Sequence, residues 1–113
     1  MKKIAFLLML VIGMTASAQQ KNKNAKHNIE VSGNCEMCKK RIEKAALGVA
    51  GVKSAQWHAD DQTLHLILNE EKTSAEAVAK AVAKAGHDAG GVKATDADYA
   101  GLHGCCQYER KAP

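Results

Sequence analysis

Ile29 and Val31 alternate with polar neighbours across residues 27–31, which predicts a first strand. Gly33 and Asn34 break that alternation with a turn. From Met37 onward the apolar positions Met37, Ile42, Ala45, Ala46 and Val49 recur near the helical period, among Lys39, Lys40, Arg41, Glu43 and Lys44. Gly48 and Gly51 close this helix. Residues 52–59 and 63–68 read as two further strands joined at Asp60-Asp61-Gln62. In the second of them Leu64, Leu66 and Leu68 share one face and Thr63, His65 and Ile67 the other, as in an antiparallel hairpin with one buried face. Thr73-Ser74-Ala75-Glu76 has the spacing of a capping box and opens a second helix, with an apolar stripe of Ala75, Val78, Ala79, Val82 and Ala83 and a stop at Gly86. Residues 87–94 make a poor strand, since Gly90 and Gly91 weaken it and Val92 alone is β-branched. They are assigned as a fourth, edge strand.

The order strand, helix, strand, strand, helix, strand is satisfied with short connections by two helices on one face of a four-stranded antiparallel sheet. That is the ferredoxin-like βαββαβ sandwich of the α+β class. The domain is assigned to residues 27–94. A polar, low-complexity leader at 19–26 is expected to be disordered, and a cysteine-containing extension follows at 95–113. No internal repeat is found.

Ahead of the leader, Lys2 and Lys3, an apolar run over residues 4–14 and Ala16-Ser17-Ala18 have the layout of a secretory signal peptide over residues 1–18. The apolar run falls short of the roughly 20 residues a spanning helix needs, so no stable membrane insertion is expected after cleavage. No cysteine follows the small residues directly, so a lipid-attachment signal is not apparent. The expected location is periplasmic or secreted. Of the 113 residues, losing 18 leaves 95, enough for one small domain. Losing Lys2 and Lys3 takes the formal charge from +4 to +2, close to balance. Scattered lysines and four aromatic residues in the whole chain speak against a nucleic-acid partner.

All four cysteines lie outside the leader: Cys35, Cys38, Cys105 and Cys106. An even count in a small exported chain makes disulfides the default expectation. Here, however, the cysteines form two tight pairs, which suggests a reactive or metal-binding use. Cys35 falls in the strand-to-helix loop and Cys38 in the first helical turn, where backbone N–H groups and the helix dipole favour thiolates. Lys39, Lys40 and Arg41 add positive charge nearby. Two such thiolates suit a soft ion that accepts two or three ligands, Cu(I) first among biological metals. A structural zinc site would want four ligands, commonly two spaced pairs, and Cys105-Cys106 is adjacent. Two alternatives stay open: an inert Cys35–Cys38 disulfide, and a thiol-disulfide redox protein using the same C-x-x-C. Against the latter, thioredoxin-like folds hold a cis-proline at the pair, and the only proline is Pro113.

Cys35-x-x-Cys38 after a strand, Gly51-Val52-Lys53-Ser54-Ala55 opening the second strand and Ala85-Gly86-His87 closing the second helix resemble the heavy-metal-associated domain family. That family includes copper chaperones, copper-pump modules and the periplasmic mercury-binding protein. The likeness covers about residues 28–93. It implies a ferredoxin-like fold holding one soft ion between Cys35 and Cys38, with Cu(I) foremost and mercury, zinc or cadmium as other candidates. It also implies transfer by thiolate exchange with a metal-transport protein or another metal-binding domain, as a monomer or a metal-bridged dimer, and no enzymatic activity. Two departures stand out. The family reads G-M-x-C-x-x-C, whereas Gly33 here occupies the place of the methionine, and Met37 lies between the cysteines, expected to pack or to be exposed rather than to offer its thioether. His87 stands where relatives often carry tyrosine, which makes it a candidate third ligand or a solvated loop residue.

The family does not account for the extension. Cys105 or Cys106 could complete the metal site, make a separate thiol site with His103, or form disulfides with Cys35 or Cys38. Alternatively the extension packs through Tyr99, Leu102 and Tyr108, with its cysteines oxidised together. His27, His58 and His65 have no partner at ligand spacing, and Trp57 is expected to be partly buried on the second strand.

Overall fold

In the computed structural model, which describes residues 20–110, strands β1 (Ala25–Glu30), β2 (Val52–His58) and β3 (Thr63–Leu68) form one antiparallel sheet in the order β1-β3-β2. The expected signal peptide lies outside the described residues. β3 is central, pairing Ile29 with Leu64 on one side and Trp57 with Leu64 on the other. Leu64, Leu66 and Leu68 are buried as the alternation predicts. Two helices, α1 (Glu36–Leu47) and α2 (Ala75–Lys84), pack against the sheet, α1 on β2 and α2 on β1, and against each other. Their buried positions are Cys38, Ile42 and Ala46 in α1 and Val78, Ala79, Val82 and Ala83 in α2. Burying each large aliphatic side chain contributes about 1.5–3 kcal/mol, so this shared face is the main source of stability. The fold is therefore α+β, with two main helices on an antiparallel sheet.

Several local expectations change. The buried stripe of α1 runs at four-residue intervals from Cys38, and this rotation leaves Met37 exposed. The capping residue of α2 is Ser74, one position later than the box implied: its hydroxyl accepts from the Ala77 N–H at 3.1 Å. β1 starts at Ala25, with Asn22 N–H donating to the Glu70 carboxylate at 2.8 Å. Trp57 is fully buried, because its indole N–H finds an acceptor inside, the Val31 carbonyl at 2.9 Å.

The fourth strand is corrected outright. Ala89 and Val92 bond to each other in both directions, at 2.9 and 2.8 Å, around Gly90 and Gly91. Gly90 adopts a left-handed φ of 57°. A segment that turns back on itself cannot also run along a neighbour. It therefore clips the edge of β1 at isolated points, through the Val31–Ala89 bridge and bonds from Ser32 N–H to Asp88 O and Gly90 N–H to Glu30 O.

The extension is built into the domain. A short helix, α3 (Asp96–Ala100), is capped by Thr95, and a 3-10 turn follows at Gly104–Cys106. Leu102, Cys106 and Tyr108 join the core. The Tyr108 hydroxyl donates to Gly86 O at 3.0 Å and accepts from Asp88 N–H at 2.8 Å. Arg110 pairs with Asp88 at 2.7 Å and lies over the Tyr99 ring. Gly86 makes this docking possible: its φ is 110°, and a Cβ there would stand 2.8 Å from Leu102 Cδ2 and 2.9 Å from Asp98 O.

Candidate metal centre

Cys35 caps α1 in extended backbone, and its side chain makes no capping bond, which leaves the sulfur to its neighbours. Cys38 lies one turn inside and is fully buried. Their Sγ atoms are 3.6 Å apart. The loop that carries Cys35 is held from several directions. Val31 N–H donates to Gln62 O at 2.8 Å, Gly33 N–H to Gln62 Oε1 at 3.0 Å, and Asn34 N–H to Cys38 Sγ at 3.3 Å. Beneath it, the Trp57 indole occupies the space that a side chain at Gly33 would need. The methionine absent at Gly33 is thus replaced in bulk by Trp57, from another strand.

Lys39, offered by the sequence as charge beside the thiols, is engaged elsewhere. Its Nζ lies 2.6 Å from the Glu43 carboxylate and donates to Trp57 O at 3.0 Å, while Glu43 accepts from Trp57 N–H at 2.8 Å. This pair satisfies backbone groups on the outer edge of β2, which would otherwise be open to another strand.

The 3-10 turn brings the second cysteine pair to the first. Cys35 Sγ is 3.6 Å from Cys105 Sγ and 3.7 Å from Cys106 Sγ. The sulfurs of Cys35, Cys105 and Cys106 all lie within 4.8 Å of one another. Asn34 Nδ2 donates to Cys105 O at 3.3 Å, and Met37 Sδ sits 3.5 Å from Cys105 Sγ at the exposed rim. All four cysteines are free thiols. Asn34 and Gln62, which hold the loop, had no signal beyond being short polar or turn residues.

These neighbours separate the thiols electrostatically. The Cys38 backbone N–H donates to Cys35, and with the Cys105 and Cys38 thiols it lowers the Cys35 pKa from 9.0 to about 7, against a smaller opposing effect of burial. Cys105, whose sulfur lies 3.6 Å from Cys35 Sγ, is shifted up, first by that neighbouring thiol and then by burial. Burial, followed by the thiols of Cys38 and Cys35, pushes Cys106 well above the ordinary thiol range. Cys35 is therefore the nucleophilic, metal-ready sulfur at neutral pH.

His87 is not a solvated loop residue. It is fully buried, donates from Nδ1 to Ser32 O at 2.8 Å and stacks on Tyr108 with ring centroids 5.5 Å apart. Its Nε2 is buried without a hydrogen-bond partner. Burial lowers its pKa, so the ring is held neutral. It lies outside the group formed by the cysteine sulfurs, as does His103, whose carbonyl accepts the Cys106 N–H at the exposed start of the 3-10 turn.

Residues 29–88 match the heavy-metal-associated domain family. The chain belongs to that family. Solved structures bear the same fold. The N-terminal domain of a potential copper-translocating P-type ATPase from Bacillus subtilis, in its Cu(I)-loaded state, is 26% identical with a TM-score of 0.56, covering 59% of this chain and 85% of that one. The copper chaperone of Enterococcus hirae in its apo form is 25% identical with a TM-score of 0.54, covering 58% and 97%. Oxidized MerP from Ralstonia metallidurans CH34 is 25% identical with a TM-score of 0.50, covering 57% and 94%. No curated protein sequence matches the chain.

Proposed function

We propose that this protein is an exported carrier or scavenger of a soft metal ion, Cu(I) in the first place, which Cys35 and Cys38 bind and hand on. The observation that carries the reading is the pair of sulfurs 3.6 Å apart at the mouth of α1, one of them with a pKa of about 7. The likeness to a Cu(I)-loaded domain and to a copper chaperone supports copper. The likeness to MerP supports mercury as the alternative ion. Export rests on the pattern of residues 1–18, and places the protein in the periplasm or outside the cell.

In this mechanism Cys35 and Cys38 bind the ion as thiolates, releasing their protons to solvent. A thiolate of a metal-transport protein or of another metal-binding domain then adds to the ion, and one of the two resident thiolates leaves. No electrons are exchanged, and the protein acts as a carrier, not an enzyme. A cleft lined by Asn34, Cys35, Glu36, Lys39, Trp57 and His58 gives such a thiolate an approach to Cys35.

Anaerobic titration with Cu(I) against a competing chelator tests the reading. One tightly held ion in the reduced protein, lost in Cys35→Ser/Cys38→Ser, is the expected result. Affinity unchanged in that variant overturns it, and turnover of the pair with a dithiol partner would then favour the thiol-disulfide reading.

A further inference from the structure

The family match ends at residue 88, yet two more thiols reach the loop from beyond it. Cys35 Sγ lies 3.6 Å from Cys38 Sγ, 3.6 Å from Cys105 Sγ and 3.7 Å from Cys106 Sγ. Sulfurs about 2.3 Å from a common tetrahedral ion stand about 3.8 Å apart; the sulfurs of Cys35, Cys105 and Cys106, all within 4.8 Å of one another, come near that size, and Cys38 adjoins them through Cys35. Nor is the juxtaposition a loose end resting on a surface. Tyr108, two residues after Cys106, is buried and bonded to Gly86 and Asp88, Leu102 packs on Gly86, and Arg110 is held by Asp88. The segment between those anchors presents both sulfurs to Cys35 without further ordering, which is what a preorganised ligand set requires.

We propose that Cys105 and Cys106 complete the metal centre, so that one soft, thiophilic ion is enclosed by at least three thiolates instead of two. The proposal rests on the carrier reading above and deepens it. A two-thiolate site leaves the ion open to an incoming thiolate, whereas a third and fourth sulfur occupy the positions through which exchange proceeds. The protein then retains its ion until the extension yields, and sequestration becomes its resting mode. Each binding thiol gives up one proton to solvent and the ion keeps its oxidation state.

X-ray absorption of the chain as recovered from cells, reduced anaerobically and loaded with one equivalent of Cu(I), counts the sulfur ligands directly. Three or more sulfurs per copper in the wild type, falling to two with a shorter Cu–S distance in Cys105→Ser/Cys106→Ser, is the expected result. Affinity against a competing chelator should drop about tenfold or more in that variant. Two sulfurs at the same distance in both proteins, with affinities equal within about twofold, overturns the completed centre while leaving the Cys35–Cys38 carrier intact. Binding that survives Cys35→Ser/Cys38→Ser, or a wild type that binds no copper tightly, overturns both. The wild-type spectrum decides the coordination number even if the double variant folds poorly.

Discussion

The Trp57 indole lies directly beneath Gly33: a Cβ on Gly33 would stand 3.1 Å from both Cζ2 and Cη2 of the ring. The two residues are 24 positions apart in the chain, and they share one volume. Restoring the side chain that the family carries at this point, with Gly33→Met, is therefore expected to destabilise the domain by about 1–3 kcal/mol through overpacking. Trp57→Ala alone is expected to cost about 3–5 kcal/mol. In combination the losses should be clearly less than additive, because the methionine gains the space that the indole vacates. Chemical denaturation of the two single variants and the double variant measures the coupling, and strict additivity would contradict the shared volume.

Half of that relationship was visible in the sequence and half was not. Gly33 is conspicuous against the family's motif, but nothing local marks Trp57 as its counterpart, since the contact depends on how β2 and the loop after β1 are brought together by β3.

Tyr108→Phe removes the hydroxyl that serves Gly86 O and Asp88 N–H while keeping the ring. Leaving those groups without their partner is expected to cost about 1–3 kcal/mol. The loss should fall on the extension first. Faster alkylation of the buried Cys106 thiol, resolved by mass spectrometry, is the corresponding observable, and an unchanged rate would mean that the hydroxyl does not hold the segment.

Alkylation of Cys35 by iodoacetamide should reach half its limiting rate near pH 7, the pKa of about 7 that its neighbours impose, and not near the ordinary thiol value. The Cys105 thiol contributes to that lowering. Cys105→Ala should accordingly move the midpoint upward, and a midpoint near 9.0 in the wild type would contradict the hydrogen bonds described around this sulfur.

His87 carries a second pH dependence. Its folded pKa lies below the ordinary histidine value of 6.5 because burial disfavours the charged ring. The unfolded chain therefore binds the proton more readily, and stability is present in full above about 6.5 and lost as pH falls from there through the folded pKa. The difference between the denaturation midpoints at pH 8 and pH 5 should be smaller in His87→Gln than in the wild type. That variant should also keep the same number of sulfur ligands on bound copper, since His87 lies outside the group of cysteine sulfurs and its Nδ1 is held by Ser32 O.

The elements that rest on local period and spacing were legible without the fold. Alternation alone assigned the buried face of β3, helical spacing assigned α1 and α2, and a strand-loop-helix transition put Cys35 and Cys38 at a helix mouth, because each of these depends on residues within a few positions of one another. Tertiary structure decided the rest. Residues 87–94 turn back on themselves since Gly90 takes a left-handed φ and Ala89 finds its partner in Val92. His87 is buried because Tyr108 returns over it, and Lys39 is drawn from the thiols to the edge of β2. Above all, Cys105 and Cys106 meet Cys35 from some 70 positions away, a convergence set by the docking of Leu102, Tyr108 and Arg110 on the Gly86–Asp88 turn. No local pattern encodes such a meeting, since its free energy resides in contacts between surfaces that do not exist until the chain has folded.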